Sequence, residues 1–123
     1  MVQETRKIFS LPDLQVFASV VRVPTFHCHG EMVTVELAEE VTREQAIEAL
    51  GEGEGIVLDT QNDHATFPTP RTVSGKKEVY VSRVRLPHGE KRSKWVQFWN
   101  VADNLKKGAA TNAVQILELA TAP

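Results

Sequence analysis

Two stretches near the C-terminus, Glu78-Val-Tyr-Val-Ser-Arg-Val-Arg-Leu86 and Lys94-Trp-Val-Gln-Phe-Trp-Asn-Val101, are rich in β-branched and aromatic residues and are separated by the polar, glycine-containing Pro87-His-Gly-Glu-Lys-Arg-Ser93. Side chains alternate faces along a strand, so two such runs across a short polar turn predict an antiparallel hairpin. The hairpin commits the chain to a sheet, and the remaining segments must supply its other strands and cover its faces. Met32-Val-Thr-Val-Glu-Leu37 alternates and predicts a further strand, and Gly55-Ile-Val-Leu-Asp59 a short one. Val16-Phe-Ala-Ser-Val-Val-Arg-Val23 is a dense β-branched run, the pattern of a strand buried on both faces.

Between these runs the period changes. Residues 2–9 space Val2, Thr5 or Arg6, and Phe9 as a short helix that Leu11-Pro-Asp13 stops. Thr42-Arg-Glu-Gln45 has capping-box spacing, with Ala46, Ile47, Ala49 and Leu50 as the apolar face behind it and Gly51 and Gly53 as the stop. A long final helix carries a stripe at Leu105, Ala109, Ala113, Ile116 or Leu117, and Ala120. Residues 60–75 read as a loop long enough to suggest function. The prediction is an α+β fold, a mixed or antiparallel sheet covered on one face by helices, with a long C-terminal helix.

At 123 residues the chain fits one domain. Its net charge of −2 gives no overall field to recruit nucleic acid or an anionic membrane. Arg83, Arg85, Lys91, Arg92 and Lys94 cluster near the hairpin tip, but no aromatic-rich binding motif accompanies them, and they read as a solvated face. No apolar run approaches a membrane span, and Met1-Val-Gln-Glu-Thr-Arg-Lys lacks the apolar core of a secretory signal. A single cysteine, Cys28, excludes an internal disulfide and suits a reducing cytoplasm.

The chemistry concentrates in Arg22-Val-Pro-Thr-Phe-His-Cys-His-Gly-Glu31. Arg22 sits in an otherwise apolar run; its planar fork suits a carboxylate or phosphate, and a strand-end salt bridge is the plainer use. An imidazole at position 29 is a candidate general acid/base, or simply a turn residue with its hydrogen bonds met. Positions 22 and 29 point to opposite faces of a regular strand, so their cooperation predicts a bend between them, which Pro24 can supply. His27, His29 and Glu31 alternate and would share a face, a weak metal set to which His64 or His88 could add a fourth ligand. Cys28 points away from that face and reads as a small core residue.

The same segments carry a resemblance. Val20-Val-Arg-Val-Pro24 followed by Cys28-His29-Gly30-Glu31 resembles the aspartate-β-semialdehyde dehydrogenase family, where the second motif usually reads Cys-His-Ser-Glu. Phe67-Pro-Thr-Pro70, Val79-Tyr-Val-Ser-Arg-Val-Arg85 and Asp103-Asn-Leu-Lys-Lys-Gly-Ala-Ala110 also look like that family, and the likeness runs from Glu4-Thr-Arg-Lys-Ile8 to Leu119. The resemblance implies that His29 is the acid/base partner of a catalytic thiol, that Arg22 binds the substrate carboxylate and that Asn104 contacts the nicotinamide of NADP. It implies the reductive dephosphorylation of aspartyl phosphate to aspartate semialdehyde, in lysine, threonine and methionine biosynthesis, by a homo-oligomer.

The chain departs from the family where those functions need most. It has no glycine-rich dinucleotide fingerprint; the carboxylates in Gly51-Glu-Gly-Glu-Gly55 would repel phosphate. Cys28 is not in the Asn-Cys-like motif of the family's nucleophile. The expectation is the C-terminal part of such an enzyme: residues 1–101 from the catalytic and dimerisation domain, and residues 102–123 a helix that in the family packs on the nucleotide-binding domain. Alone it is expected to be inactive, with its helix stripe exposed and prone to self-association, and with a complementing N-terminal part as its partner. A non-catalytic dimerisation module and a small metal-binding domain are the alternatives.

Overall fold

The computed structural model describes residues 1–61 and 66–122. In chain order the elements are α1 (Val2–Phe9), β1 (His29–Val41), α2 (Arg43–Gly51), β2 (Ile56–Asp59), a one-turn α3 (Pro70–Val73), β3 (Val79–Arg85), a 3-10 turn (Pro87–Gly89), β4 (Ser93–Ala102), a π-helical turn (Lys106–Ala110) and α4 (Thr111–Thr121). The four strands form one sheet in the order β1-β4-β3-β2. The predicted hairpin forms: β3 and β4 are antiparallel, with Tyr80 opposite Val101 and Ser82 opposite Trp99. β1 pairs antiparallel with β4, and β2 lies parallel to β3, so the sheet is mixed.

Local chemistry explains the helix that crosses back to the sheet. Thr42 accepts from the Gln45 N–H at 3.2 Å while Gln45 accepts from the Thr42 N–H at 2.9 Å, the reciprocal capping box predicted from the spacing. Such a cap stabilises a helix by about 0.5–2 kcal/mol. α2 then buries Ala46, with Ile47 and Leu50 half-buried beside it; Ala49, expected on the same face, is exposed. Their partners are Val79, Val81, Val96, Ile56 and Leu58, all from one face of the sheet.

The opposite face is covered as well, which the sequence does not suggest. Val101, with no exposed surface, packs there with Val73 of α3 and with Cys28, flanked by Tyr80 and Trp99. The helices therefore lie on both faces. The short α3 begins inside the span expected to be loop, and it too starts with a reciprocal threonine cap, Thr69 with Thr72.

One expectation fails outright. Residues 16–23 form no strand: Phe17 is 98% exposed, Val20 77% and Val21 79%. A strand requires a neighbour for its N–H and C=O groups, and the run pairs with neither sheet edge. Its apolar composition records a demand for burial that the described residues do not meet. The last helix departs from its predicted period in a related way. It opens with a π-helical turn, in which the Gly108 N–H reaches the Asp103 carbonyl at 3.4 Å, so a single α-helical stripe does not run through residues 105–120. Leu105, Ile116, Leu117 and Leu119 are exposed.

Candidate active site

The start of β1, the segment leading into it and the turn after β4 converge at one end of the sheet. His29 is the first residue of β1 and stands opposite Ala102. The predicted break between residues 22 and 29 is present. The Thr25 N–H turns back to the Val23 carbonyl at 2.9 Å, the chain bends at Phe26 and His27, and Cys28 adopts a left-handed φ of 72°. That conformation is uncommon for a residue with a side chain. What holds it is long-range: the Cys28 N–H donates to Oδ1 of Asn104 at 3.0 Å, across 76 residues.

Two of the three residues assigned from the resemblance are thereby brought together. His29 follows the residue whose backbone Asn104 holds, and it lies across the ladder from Ala102, two residues before Asn104. Arg22, the third, is exposed and makes no hydrogen bond or ion pair with a described residue. The salt bridge that offered its plainer reading is therefore absent among the described residues. A groove of about 480 Å³ runs between the bent segment and α3, lined by Pro24, Phe26, His27, Pro70, Arg71 and Ser74 among others; Arg22, His29 and Asn104 lie outside its lining.

The metal alternative finds no support among the described residues. The alternation that would align His27, His29 and Glu31 is interrupted by the turn at Cys28, and Glu31 accepts instead from Nδ2 of Asn100 at 3.3 Å. Among the described residues no group of three histidine, cysteine, aspartate or glutamate side chains is placed to hold a metal. His64 and the side chain of His88 lie outside the described residues.

Cys28 is 5% exposed, and burial first, then the charge of Asp103, pushes its thiol pKa above the ordinary 9.0. A neutral, enclosed thiol is a poor nucleophile. Native Cys28 is expected to react with iodoacetamide at pH 8 at least about tenfold more slowly than in the urea-unfolded chain. Equal rates measured by mass spectrometry would show the thiol to be accessible and the core reading wrong.

Sequence reasoning does not single out Asp103, although an aspartate directly before a helix is a familiar capping signal. It is 4% exposed. Its carboxylate accepts from the N–H groups of Gly75 at 2.7 Å, Leu105 at 2.9 Å and Lys106 at 3.3 Å. The Gly75 bond is the main influence holding its pKa below the ordinary 3.8; His27 adds a smaller favourable charge interaction. Trp99 likewise carries no signal of its role in the sequence. Its Nε1 donates to the Pro68 carbonyl at 2.8 Å, and its ring lies over Gly30.

Residues 1–107 match the family described as semialdehyde dehydrogenase, dimerisation domain. The chain belongs to that family. An aspartate-semialdehyde dehydrogenase 2 from Vibrio cholerae is 45% identical over 120 residues, and an aspartate-semialdehyde dehydrogenase from Aquifex aeolicus 39% over 119; each alignment covers 97% of this chain and 34% of the relative. The chain thus spans about a third of the length of these relatives. A crystal structure of aspartate semialdehyde dehydrogenase II from V. cholerae, complexed with ASA, superimposes with a TM-score of 0.86 and 45% identity over 97% of this chain and 34% of that one. The mixed sheet and its helices are those of the semialdehyde dehydrogenase dimerisation domain.

Proposed function

We propose that this chain is the C-terminal catalytic and dimerisation portion of an NADP-dependent aspartate-β-semialdehyde dehydrogenase, acting in lysine, threonine and methionine biosynthesis in the cytoplasm. The observation that carries the reading is the 3.0 Å bond from the Cys28 N–H to Asn104. It sets His29, the proposed acid/base residue, beside the backbone held by Asn104, the proposed nicotinamide contact. Residues 1–101 form the body of the domain, and residues 102–123 the helix that meets a nucleotide-binding domain. The exposed apolar side chains of residues 17–26 and of α4 suit a chain that works within a larger assembly, including a second copy of itself.

The donor chemistry of Asn104 fits one end of the cofactor. The Cys28 N–H needs an acceptor, so Oδ1 faces inward. Nδ2 makes no hydrogen bond among the described residues and remains a donor for a carboxamide oxygen. When bound, NADP supplies the hydride exchange. This chain's residues do the rest of their share by position: the Arg22 guanidinium holds the carboxylate of aspartate semialdehyde or aspartyl phosphate in a two-bond fork, and His29 gives and takes the proton at the reacting centre. The nucleophilic thiol is not Cys28, which is enclosed in the core.

NADP reduction with aspartate semialdehyde and phosphate tests the proposal. The chain alone is expected to show no turnover, and turnover is expected once it is mixed with a matching N-terminal portion that carries the thiol and the dinucleotide site. Silence in a mixture whose parts demonstrably associate would overturn the catalytic reading and leave a non-catalytic dimerisation module.

A further inference from the structure

Asp103 gathers more backbone donors than a helix cap requires. A capping aspartate needs one oxygen, and Oδ1 fills that role with the Leu105 and Lys106 N–H groups. The Asp103 carbonyl separately accepts from Lys106, Lys107 and Gly108, which shapes the π-helical turn. Oδ2 does something the cap does not need: it reaches 28 residues back to the Gly75 N–H at 2.7 Å, the shortest of its contacts. Gly75 ends the α3 segment with a φ of +83°, a left-handed conformation native to glycine. The next residue, Asn104, reaches a different segment through Cys28. Two consecutive side chains therefore fasten the α3 end and the β1 start to the same turn, so a shift of that turn's backbone moves both attachments.

We propose that Asp103 is a positioning residue for the candidate active site: by anchoring Gly75 through Oδ2 while capping the following turn through Oδ1, it aims the Asn104 amide at the Cys28 N–H and thereby sets the place of His29. The role deepens the dehydrogenase reading and rests on it for its catalytic consequence. The geometric part stands on this chain alone. Burial makes the carboxylate suited to the task, because a solvent-shielded acceptor that satisfies three N–H groups has few alternative partners.

Asp103→Ser separates the two oxygens, since a serine still caps a helix but lacks the second oxygen directed at Gly75. Amide hydrogen exchange on the full chain is expected to show Gly75 and Cys28 exchanging about tenfold faster or more, with Leu105 and the sheet amides of Val35 and Val96 unchanged. Asn104→Ala should reproduce the change at Cys28 and leave Gly75 protected. In the enzyme complemented by its N-terminal portion, Asp103→Ser and Asn104→Ala should each lower kcat more than they raise KM, and the double variant should be no worse than the poorer single, because one residue acts through the other. Faster exchange at Gly75 with Cys28 unaffected would reduce Asp103 to a local anchor of Gly75 and overturn the proposal, as would a uniform rise at all amides. Asp103→Asn, which keeps the side-chain shape, gives the same reading if the serine variant folds poorly. Absence of turnover in the wild-type mixture would refute the dehydrogenase reading, while the exchange pattern would still decide the positioning role.

Discussion

His29→Ala is expected to lower kcat of the complemented enzyme by about 10²–10⁴-fold, the usual contribution of a positioned general acid/base. KM should change little, because on the proposed reading the imidazole exchanges a proton at the reacting centre and does not hold the substrate's carboxylate. Arg22→Ala is the contrasting variant. On the same proposal it removes the two-bond fork to the substrate carboxylate, which would then be both bound less tightly and aimed less well, so KM should rise as kcat falls. Arg22→Lys should recover only part of the loss, since an ammonium presents a point charge and not a planar pair of donors. The contrast is informative because Arg22 and His29 occupy such different settings. His29 begins a paired strand, next to a backbone held by Asn104, whereas Arg22 projects from an exposed segment. Steady-state kinetics on both variants checks the assignment, and a His29→Ala enzyme with kcat intact would sink it.

Gly30→Ser should destabilise the chain by about 1–3 kcal/mol, the range for forcing atoms into space that another side chain already fills. The family resemblance makes serine the ordinary residue here, so the expected damage is specific to this sequence. A Cβ at position 30 would sit 2.6 Å from Cζ2 of Trp99 and closer still to Cη2. The indole has only two side-chain torsions with which to retreat, and its Nε1 is committed to the Pro68 carbonyl at 2.8 Å. Moving the ring would break that bond and release the Pro68–Pro70 stretch that leads into α3. Trp99→Val should therefore remove most of the cost of Gly30→Ser, giving a coupling of about 0.5–3 kcal/mol between two directly packed positions. Urea unfolding of the two single variants and the double variant measures it. Strict additivity would mean that the indole moves aside freely and that Gly30 is not confined by it.

Much of the scaffold is legible in the sequence because its causes are local. The Thr42–Gln45 cap depends on atoms three residues apart, and the β3–β4 hairpin on alternation across a short polar turn. α1 ends just before the stop at Leu11-Pro-Asp13, with Ser10 in the left-handed conformation. Residues 16–23 mislead for an equally physical reason. Composition reports how much a segment gains from burial, but a strand also needs a neighbouring backbone, and Phe17 and Val20 stand exposed beside none. The cover on both faces of the sheet is hidden because α3 is a single turn without a helical period of its own.

Within the candidate site, residue type alone singles out His29 and Arg22, and the family motif adds Asn104. Chemistry is carried by the side chain, so an imidazole or a guanidinium announces what it can do wherever it is placed. The paired strands, the capped helix, the need for a bend after Arg22 and the family to which the chain belongs all follow from the order of residues. The folded chain is needed to show that Asn104 holds the backbone beside His29, that Asp103 joins the α3 end to the turn after β4 and that Trp99 occupies the space above Gly30. The two decisive polar links span 28 and 76 positions. No spacing rule reaches so far, because such contacts are created by the pairing of β4 with both of its neighbours.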